Sequence, residues 1–483
     1  MKRHKILLLN PPGQHRYIRD YYCSHISKAN YIWHPYDLFV QSGILGEHHD
    51  LVAFDANIDN TSPERTAQYL STLDFDTVLM LSGAVSWKGD LGFAKQYLQD
   101  KTFVVSGDIT IANGRDLMDR YPFIDATLQD FTQPGVHQFL EQLDENGGGP
   151  LKGNTPIQGI TYRNSDGEFV DGPVYPAYGH FTHPAPKYEL FPWKKYRVPH
   201  ARKVPFASML TDFGCPYHCN FCITGTFGYR MRDLDNVEME LNYLKTLGIE
   251  DIWFKDVVFG VNKRHYYGLL ELLKKPEHKF RWATLSRVDV VTDDILVKMA
   301  EAGCHTIQFG VESSDPDILE SIEKGISPER VKEVFNLCRK LGIRTLAHFI
   351  IGLPGETMET AKRTIDFALD IDPDFASFNV ASPRVGTPLR DEAIEKGYIS
   401  DELTELDNSI TFPTMDLGTL SKEDVWRLRS EAVRRFYLRP SYLYRRLTGV
   451  RSFRELTNSI FEGTNLVVNS LNPKPDPAEM VEV

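Results

Sequence analysis

Short apolar runs separated by amphipathic stretches dominate the chain, and their spacing divides it into two α/β halves. In the first half, residues 5–9, 50–56, 76–81, 102–105 and 124–128 read as strands, with helical patterns between them such as 63–72 and 91–98. Strands alternating with helices predict an N-terminal doubly wound, Rossmann-like parallel sheet over 1–145, with Gly and Asn at strand ends where such sheets take ligands. A break at Gly147–Pro150 opens a linker over 146–200, with a small hairpin near 157–174 turning at Asp166-Gly167 and a Pro-, Tyr- and Trp-rich ordered segment at 184–199. The second half places strands at 205–211, 251–257, 281–287, 306–312, 344–351 and 375–381. Helices are expected at 235–247, 264–275, 293–302, 328–341 and 358–370. Six such repeats over 201–390 predict a partial (β/α)6 barrel, whose chemistry belongs at the strand C-termini. A helical region follows over 391–471, then a Pro-rich acidic tail, 472–483, expected to be disordered. No solenoid-type repeat is present.

Composition narrows the function classes. The 483 residues are 42% hydrophobic and 25% charged, with a net charge of -12. That balance weighs against nucleic acid as a partner, because phosphate binding favours a basic surface. No run of eighteen apolar residues suggests a transmembrane helix, and the N-terminal apolar run, 6–9, is too short for a signal-peptide core. Six cysteines, three of them clustered, point to a reducing compartment and metal binding, so the chain reads as cytoplasmic.

The clustered thiols are Cys215, Cys219 and Cys222 in Cys-Pro-Tyr-His-Cys-Asn-Phe-Cys. Three thiols cannot pair evenly as disulfides. They can hold three corners of a four-iron cluster and leave the fourth iron open. Zinc is the alternative, but it wants a fourth ligand that His218 is too close in sequence to supply. Cys304 and Cys338 read as buried small residues at helix-start and mid-helix positions.

The CxxxCxxC spacing after a first barrel strand resembles the radical S-adenosylmethionine (SAM) superfamily over about 205–385. The resemblance implies a 4Fe–4S cluster on the three cysteines, with SAM on the open iron. It also implies SAM contacts at Phe221 before the last cysteine, Asp256 after the second strand and Arg287 after the third. Glu312 and Ser313 after the fourth strand, and Gly352 and Gly355 in Gly352-Leu-Pro-Gly355-Glu356-Thr357, complete that set. Relatives often carry two adjacent acids at the second strand; here Val257 follows Asp256. Read plainly, Asp256 and Glu312 are strand-end acids, Arg287 pairs with one of them, and the glycines serve the backbone.

The first half resembles the cobalamin-binding subfamily of that superfamily, in Asn10-Pro-Pro-Gly13, Trp33–Leu38, Phe54–Asn57 and Leu81-Ser82-Gly83. Ser82, Gly83 and Gly107 would then meet cobalamin. No DxHxxG is present, and the turns usual after the fourth and fifth strands are here Ser106-Gly107-Asp108 and Gln129–Thr132. The alternative is a degenerate domain kept for substrate binding or packing. The aromatic and polar stretch 17–33 is expected to cap the site, with Cys23, His25 and His34 as candidates.

Arginines at 427, 429, 434, 435, 439, 445, 446, 451 and 454, interleaved with aromatics, read either as a solvated or packing face or as a contact for anionic lipid or a phosphorylated substrate. The expected function is therefore a cytoplasmic enzyme, peripheral to the membrane if that face binds lipid, that performs cobalamin-dependent methyl transfer to a small-molecule substrate, with a hydrophobic one expected. Radical cyclisation, oxidation or rearrangement of an isoprenoid or tetrapyrrole is the second reading, and a non-catalytic iron–sulfur redox protein the third. A flavodoxin or ferredoxin would be the reductant.

Overall fold

A computed structural model describes residues 2–27, 31–173, 178–405 and 413–449. The chain starts with β1 (Lys5–Asn10), a two-stranded ribbon of β2 (Tyr17–Ile18) and β3 (His25–Ile26), and then α1 (Tyr36–Leu45). It continues β4 (Asp50–Asp55), α2 (Pro63–Leu70), β5 (Thr77–Leu81), α3 (Trp87–Tyr97), β6 (Thr102–Ser106), α4 (Asp108–Arg120), β7 (Ala126–Leu128) and α5 (Gly135–Glu145). The strand order β4-β1-β5-β6-β7, all parallel, is a doubly wound sheet whose direction of winding reverses at β1 and β5. Its central strands are apolar on both faces, as residues 78–81 are, because helices cover both sides.

The hairpin expected inside the linker is instead the edge of this sheet. β8 (Ile160–Arg163) pairs antiparallel with β7, and β9 (Phe169–Asp171) with β8, so the seven-stranded sheet runs past residue 145. The physical reason is the open edge of β7, whose unpaired backbone groups the hairpin satisfies.

Next come β10 (Tyr178–Phe181), β11 (Ala207–Met209), β12 (Asp212–Gly214), β13 (Tyr229–Arg232), α6 (Leu234–Thr246), β14 (Asp251–Phe254), α7 (Lys263–Lys274), β15 (Arg281–Ser286) and α8 (Asp293–Glu301). They are followed by β16 (Cys304–Glu312), α9 (Pro316–Ser321), α10 (Pro328–Leu341), β17 (Arg344–Ile351), α11 (Met358–Ile371), β18 (Phe375–Val380), α12 (Pro388–Glu395), α13 (Lys422–Tyr437) and α14 (Pro440–Gly449). The parallel order β11-β14-β15-β16-β17-β18 is an open, six-stranded partial barrel. Cys304 opens β16 rather than a helix, since Gly303 (φ 94°) ends the preceding turn before it. β12 leaves the barrel and forms a small sheet with β13 and β10, which the apolar pattern did not reveal because the strands are short.

Local signals set several helix ends. Ser327 caps α10 at Arg330, Pro328 starts it, and left-handed Gly342 stops it. Thr357 and Ser421 close capping boxes on α11 and α13. Helix α13 packs on the barrel through Phe436 against Phe378, and Arg429 donates to the Phe378 carbonyl. Arg435, Arg439 and Arg445 pair with Asp366 and Asp372 of the barrel, so these arginines serve packing. Arg451, Arg454 and the expected disordered tail lie outside the described residues. No described helix is long and apolar enough to cross a membrane.

Part of the stretch expected to cap the site is built into the core. Arg19, fully buried, fills the switch point between β1 and β5. It donates to Asn10 and the Pro11 carbonyl, and pairs with Asp90 at 2.6 Å. Polar spacing hid this packing because the buried groups are ions satisfied by one another. Arg19→Met is expected to cost about 3–5 kcal/mol, since it strands Asp90 in the interior; urea unfolding measures it.

At the opposite end of the same sheet, His4, His48, His49 and His137 gather. His49 bonds His137 at 3.1 Å, His48 stacks on His137 at 3.9 Å, and His4 meets Asp76 and Asp144. Burial, then the neighbouring His137, push His49 down to about 4. The folded state thus takes up this proton less readily than the unfolded chain, whose histidine titrates near ~6.5. Stability is expected to be full above that value and to fall as pH drops from it towards about 4. Melting temperature against pH should flatten over this window in His49→Asn.

Candidate functional site

The cysteine loop projects from the neck formed by β12 and β13. Gly214 (φ 86°) lies so close to the Gly228 carbonyl that a Cβ would stand 2.0 Å from it, and the Cys215 amide donates to the same carbonyl at 2.9 Å. Mid-loop, Asn220 is pinned on two sides. Its amide and side chain donate to the Ile322 and Ser321 carbonyls, and its carbonyl accepts from Leu389. Phe221 packs half-buried against the core.

Cys215 sits among Val258 and Val290, and burial pushes its thiol up to about 12. Burial also raises Cys219, against the pull of Lys324 and Arg287. Cys222 is partly exposed, with its sulfur 3.0 Å from the Thr224 hydroxyl. The buried thiols of Cys215 and Cys219 stay protonated until a metal claims them. Among the described residues, the one trio of metal-binding groups with donor atoms within 4.8 Å of one another is Glu238, Glu277 and His278, remote from this loop. A four-iron cluster takes one thiolate per iron, so three cysteines fit it with one iron left open.

The barrel rim around the loop carries the other candidates. Asp256 is fully buried and accepts from the Thr211 amide at 2.6 Å, the Thr211 hydroxyl and the Asp212 amide at 3.1 Å. Burial raises its carboxyl to about 6. A second acid stands beside Asp256, on β12 rather than at position 257. Asp212 accepts from Tyr266 at 2.6 Å and Tyr229 at 3.1 Å, while its other oxygen is buried without a partner. Burial, then the Asp256 charge, hold Asp212 well above the usual carboxylate range. Sequence reasoning missed Asp212 because the pairing is across strands; its position three residues before Cys215 was the available signal.

Arg287 pairs with Asp289 at 2.9 Å, not with Asp256 or Glu312, and its guanidinium lies 3.4 Å from the Cys219 sulfur. Glu312 ends β16 in the left-handed region (φ 62°), a strain tolerated where the surroundings hold it. Its carboxylate meets Lys324 at 2.7 Å, both side chains buried, and Gly310 leaves the room they need. Lys324, in the turn before α10, was not among the expected residues. Ser313 is engaged locally: its hydroxyl lies 3.2 Å from that of Thr364 and accepts from the Asp315 amide. Gly352 (φ 87°) donates its amide to Glu356, whose second oxygen is buried without a partner and whose carboxyl burial lifts to about 7. Gly355 (φ 82°) turns the chain beside Ile318.

Inside the barrel, β17 and β18 alternate. Leu346, His348, Ser377 and Asn379 are partly accessible, while the residues between them are buried against the outer helices. The inward face therefore lines an accessible lumen, with His348 and Gln308 bonded at 3.1 Å.

The C-terminal end of the first sheet docks on this mouth. Asp20 forms a buried ion pair with Lys255, and Tyr21 donates to the Lys255 carbonyl and stacks on Phe213. Arg230 of β13 pairs with Asp130 at 2.7 Å, and Arg384 after β18 pairs with Asp108 at 2.9 Å. Ser82, Gly83 and Gly107 are taken up within the chain. The Ser82 hydroxyl donates to Asp90; a Cβ on Gly83 would meet Ser24, and one on Gly107 (φ 113°) would stand 2.0 Å from the Ser82 carbonyl. At the same sheet end, one Asp37 oxygen and the Trp33 ring nitrogen are buried without partners. His34 is a core residue bonded to Ser208 and pushed down to about 3 by burial; His25 packs on Trp33, and Cys23 is half-buried.

Residues 210–368 match the sequence profile of the Radical SAM superfamily. An uncharacterized methyltransferase of Pyrococcus horikoshii is 31% identical over 456 residues, spanning 92% of this chain and 94% of that one. The anaerobic magnesium-protoporphyrin IX monomethyl ester cyclase of Rubrivivax gelatinosus is 25% identical, spanning 85% and 75%. Among solved structures, the radical S-adenosylmethionine methyltransferase TsrM of Kitasatospora setae, with cobalamin and a 4Fe–4S cluster bound, has the same fold. Its TM-score is 0.64 at 18% identity, over 82% of this chain and 78% of that one. Replacing Cys215, Cys219 or Cys222 by Ala is expected in each case to abolish retention of a four-iron cluster, measured as iron and sulfide per chain after anaerobic reconstitution.

Proposed function

This chain belongs to the radical SAM superfamily, and from that premise we propose that it is a cobalamin-dependent methyltransferase acting on an unactivated carbon of a small molecule. The observation that carries the reading is the docking of a doubly wound sheet, by its C-terminal end, on the mouth of the barrel that bears the three cysteines. Resemblance to a methyltransferase over nearly the whole chain supports the same reading.

In this reading Cys215, Cys219 and Cys222 would hold the cluster, and Phe221, the Asp212–Asp256 pair, Glu312 and the Gly352–Glu356 turn would hold SAM. The unpartnered oxygens of Asp212 and Glu356 are the groups left to meet a polar ligand there. When bound, cluster and SAM supply a one-electron cleavage of a carbon–sulfur bond, and cobalamin supplies a carrier for the methyl group. Of the expected cobalamin contacts, Ser82, Gly83 and Gly107 act through the shape they give the sheet end, since the chain itself occupies them. Asp37 and Trp33 retain unpartnered polar atoms there. The lumen face of β17 and β18 admits the substrate, and the apolar surroundings of Cys215 keep water from the cluster. Residues 1–145, extended by the β8–β9 hairpin, are the cobalamin-type domain, and a low-potential one-electron donor is the partner.

A second reading, radical cyclisation without methyl transfer, is favoured by the likeness to the magnesium-protoporphyrin cyclase. Product analysis separates the two. Methyl transfer requires S-adenosylhomocysteine and a methylated product alongside 5′-deoxyadenosine, in reconstituted protein that retains cobalamin. Formation of 5′-deoxyadenosine with neither of the other two would overturn methyl transfer.

A further inference from the structure

We propose that Arg287 is a positioning residue for the iron–sulfur cluster, raising its reduction potential by donating to the ligand Cys219. The inference rests on the proposed function only in that the three cysteines carry a cluster; the iron content of the unaltered chain tests that point separately.

Arg287 leaves the end of β15 and turns towards the cysteine loop. Its Nη1 donates to Cys219 Sγ at 3.4 Å, and its guanidinium lies over the Tyr217 ring at 3.9 Å. Its Nε and Nη2 donate to the two Asp289 oxygens at 3.0 and 2.9 Å, and Nη2 also donates to the Lys324 carbonyl. Four donations thus fix the guanidinium against one ligand sulfur, and the residue is 5% exposed. A group so committed has little freedom to reach a separate ligand across the rim.

A cluster that gains an electron becomes more negative. A fixed cation with an N–H directed at a ligand sulfur favours that state over the oxidised one, and exclusion of water enlarges the effect. The step concerned is uptake of one electron from a low-potential one-electron donor, with no bond made or broken. Two neighbours bear on the field. Asp289 offsets part of the Arg287 charge, and Lys324, the other cation close to Cys219, is offset by Glu312 at 2.7 Å. Arg287 therefore acts within a set of paired charges, and changing either member of its own pair should move the potential in opposite directions.

The test is an electron paramagnetic resonance redox titration of the full chain, reconstituted anaerobically, without SAM. Arg287→Gln is expected to weaken reduction about tenfold, a fall of about 59 mV for a one-electron couple. Arg287→Lys should restore part of the loss, and Asp289→Asn should shift the potential upwards. SAM affinity, read by equilibrium dialysis, should stay within about twofold of the unaltered chain in Arg287→Gln. An unchanged potential with lost SAM binding would overturn the proposal and make Arg287 a SAM ligand. If Arg287→Gln loses its iron, Asp289→Asn decides, and an unchanged or lowered potential overturns the proposal. Loss of iron from both variants also overturns it, because the guanidinium would then only hold the loop in place.

Discussion

The ion pair between Arg230 and Asp130, with neither side chain open to water, is the constraint on which the rest of the structure depends. Arg230 lies in β13, one side of the neck that holds the cysteine loop, and Asp130 lies in the turn after β7 of the first sheet. Two charges in the interior are tolerated only when each satisfies the other and their remaining groups are bonded. Asp130 also accepts from Thr132, and the guanidinium rests over Phe213. The pair therefore fixes the relation between the sheet and the loop, and the Asp20–Lys255 and Asp108–Arg384 pairs repeat the arrangement around the mouth.

The loop itself is organised for a ligand it cannot replace. Burial disfavours thiolate at Cys215 and Cys219, the neck needs glycine at 214, and the middle of the loop is tied to α9 and α12 through Asn220. Around it stand cations that are each offset by an acid: Arg287 with Asp289 and Lys324 with Glu312. The charges beside Cys219 are thus paired, an arrangement in which changing one partner acts directly on a redox centre.

How much could be read beforehand follows from the range of each signal. The parallel strands announced themselves because a strand covered on both faces must be apolar along its length, as residues 78–81 are. The cysteine loop announced itself because its ligands are adjacent in sequence. Short strands such as Asp212–Gly214 carry too few residues for a period, and Cys304 looked like a helix start because the turn before it ends in glycine. The burial of Arg19 within the stretch expected to cap the site was not legible, since polar residues suggest solvent unless their counter-ions, here Asp90, can be seen.

The sequence by itself determined the order of the elements, the apolar faces and the three clustered thiols, because each of these depends on residues a few positions apart. Tertiary structure alone decided that Asp212 stands beside Asp256, that Arg287 faces Cys219 and that Lys324 answers Glu312. It also decided that Ser82 bonds Asp90 and that no side chain fits at Gly83 or Gly107. Those outcomes are set by which charges are buried together, and burial is a property of the packed chain that no local pattern carries.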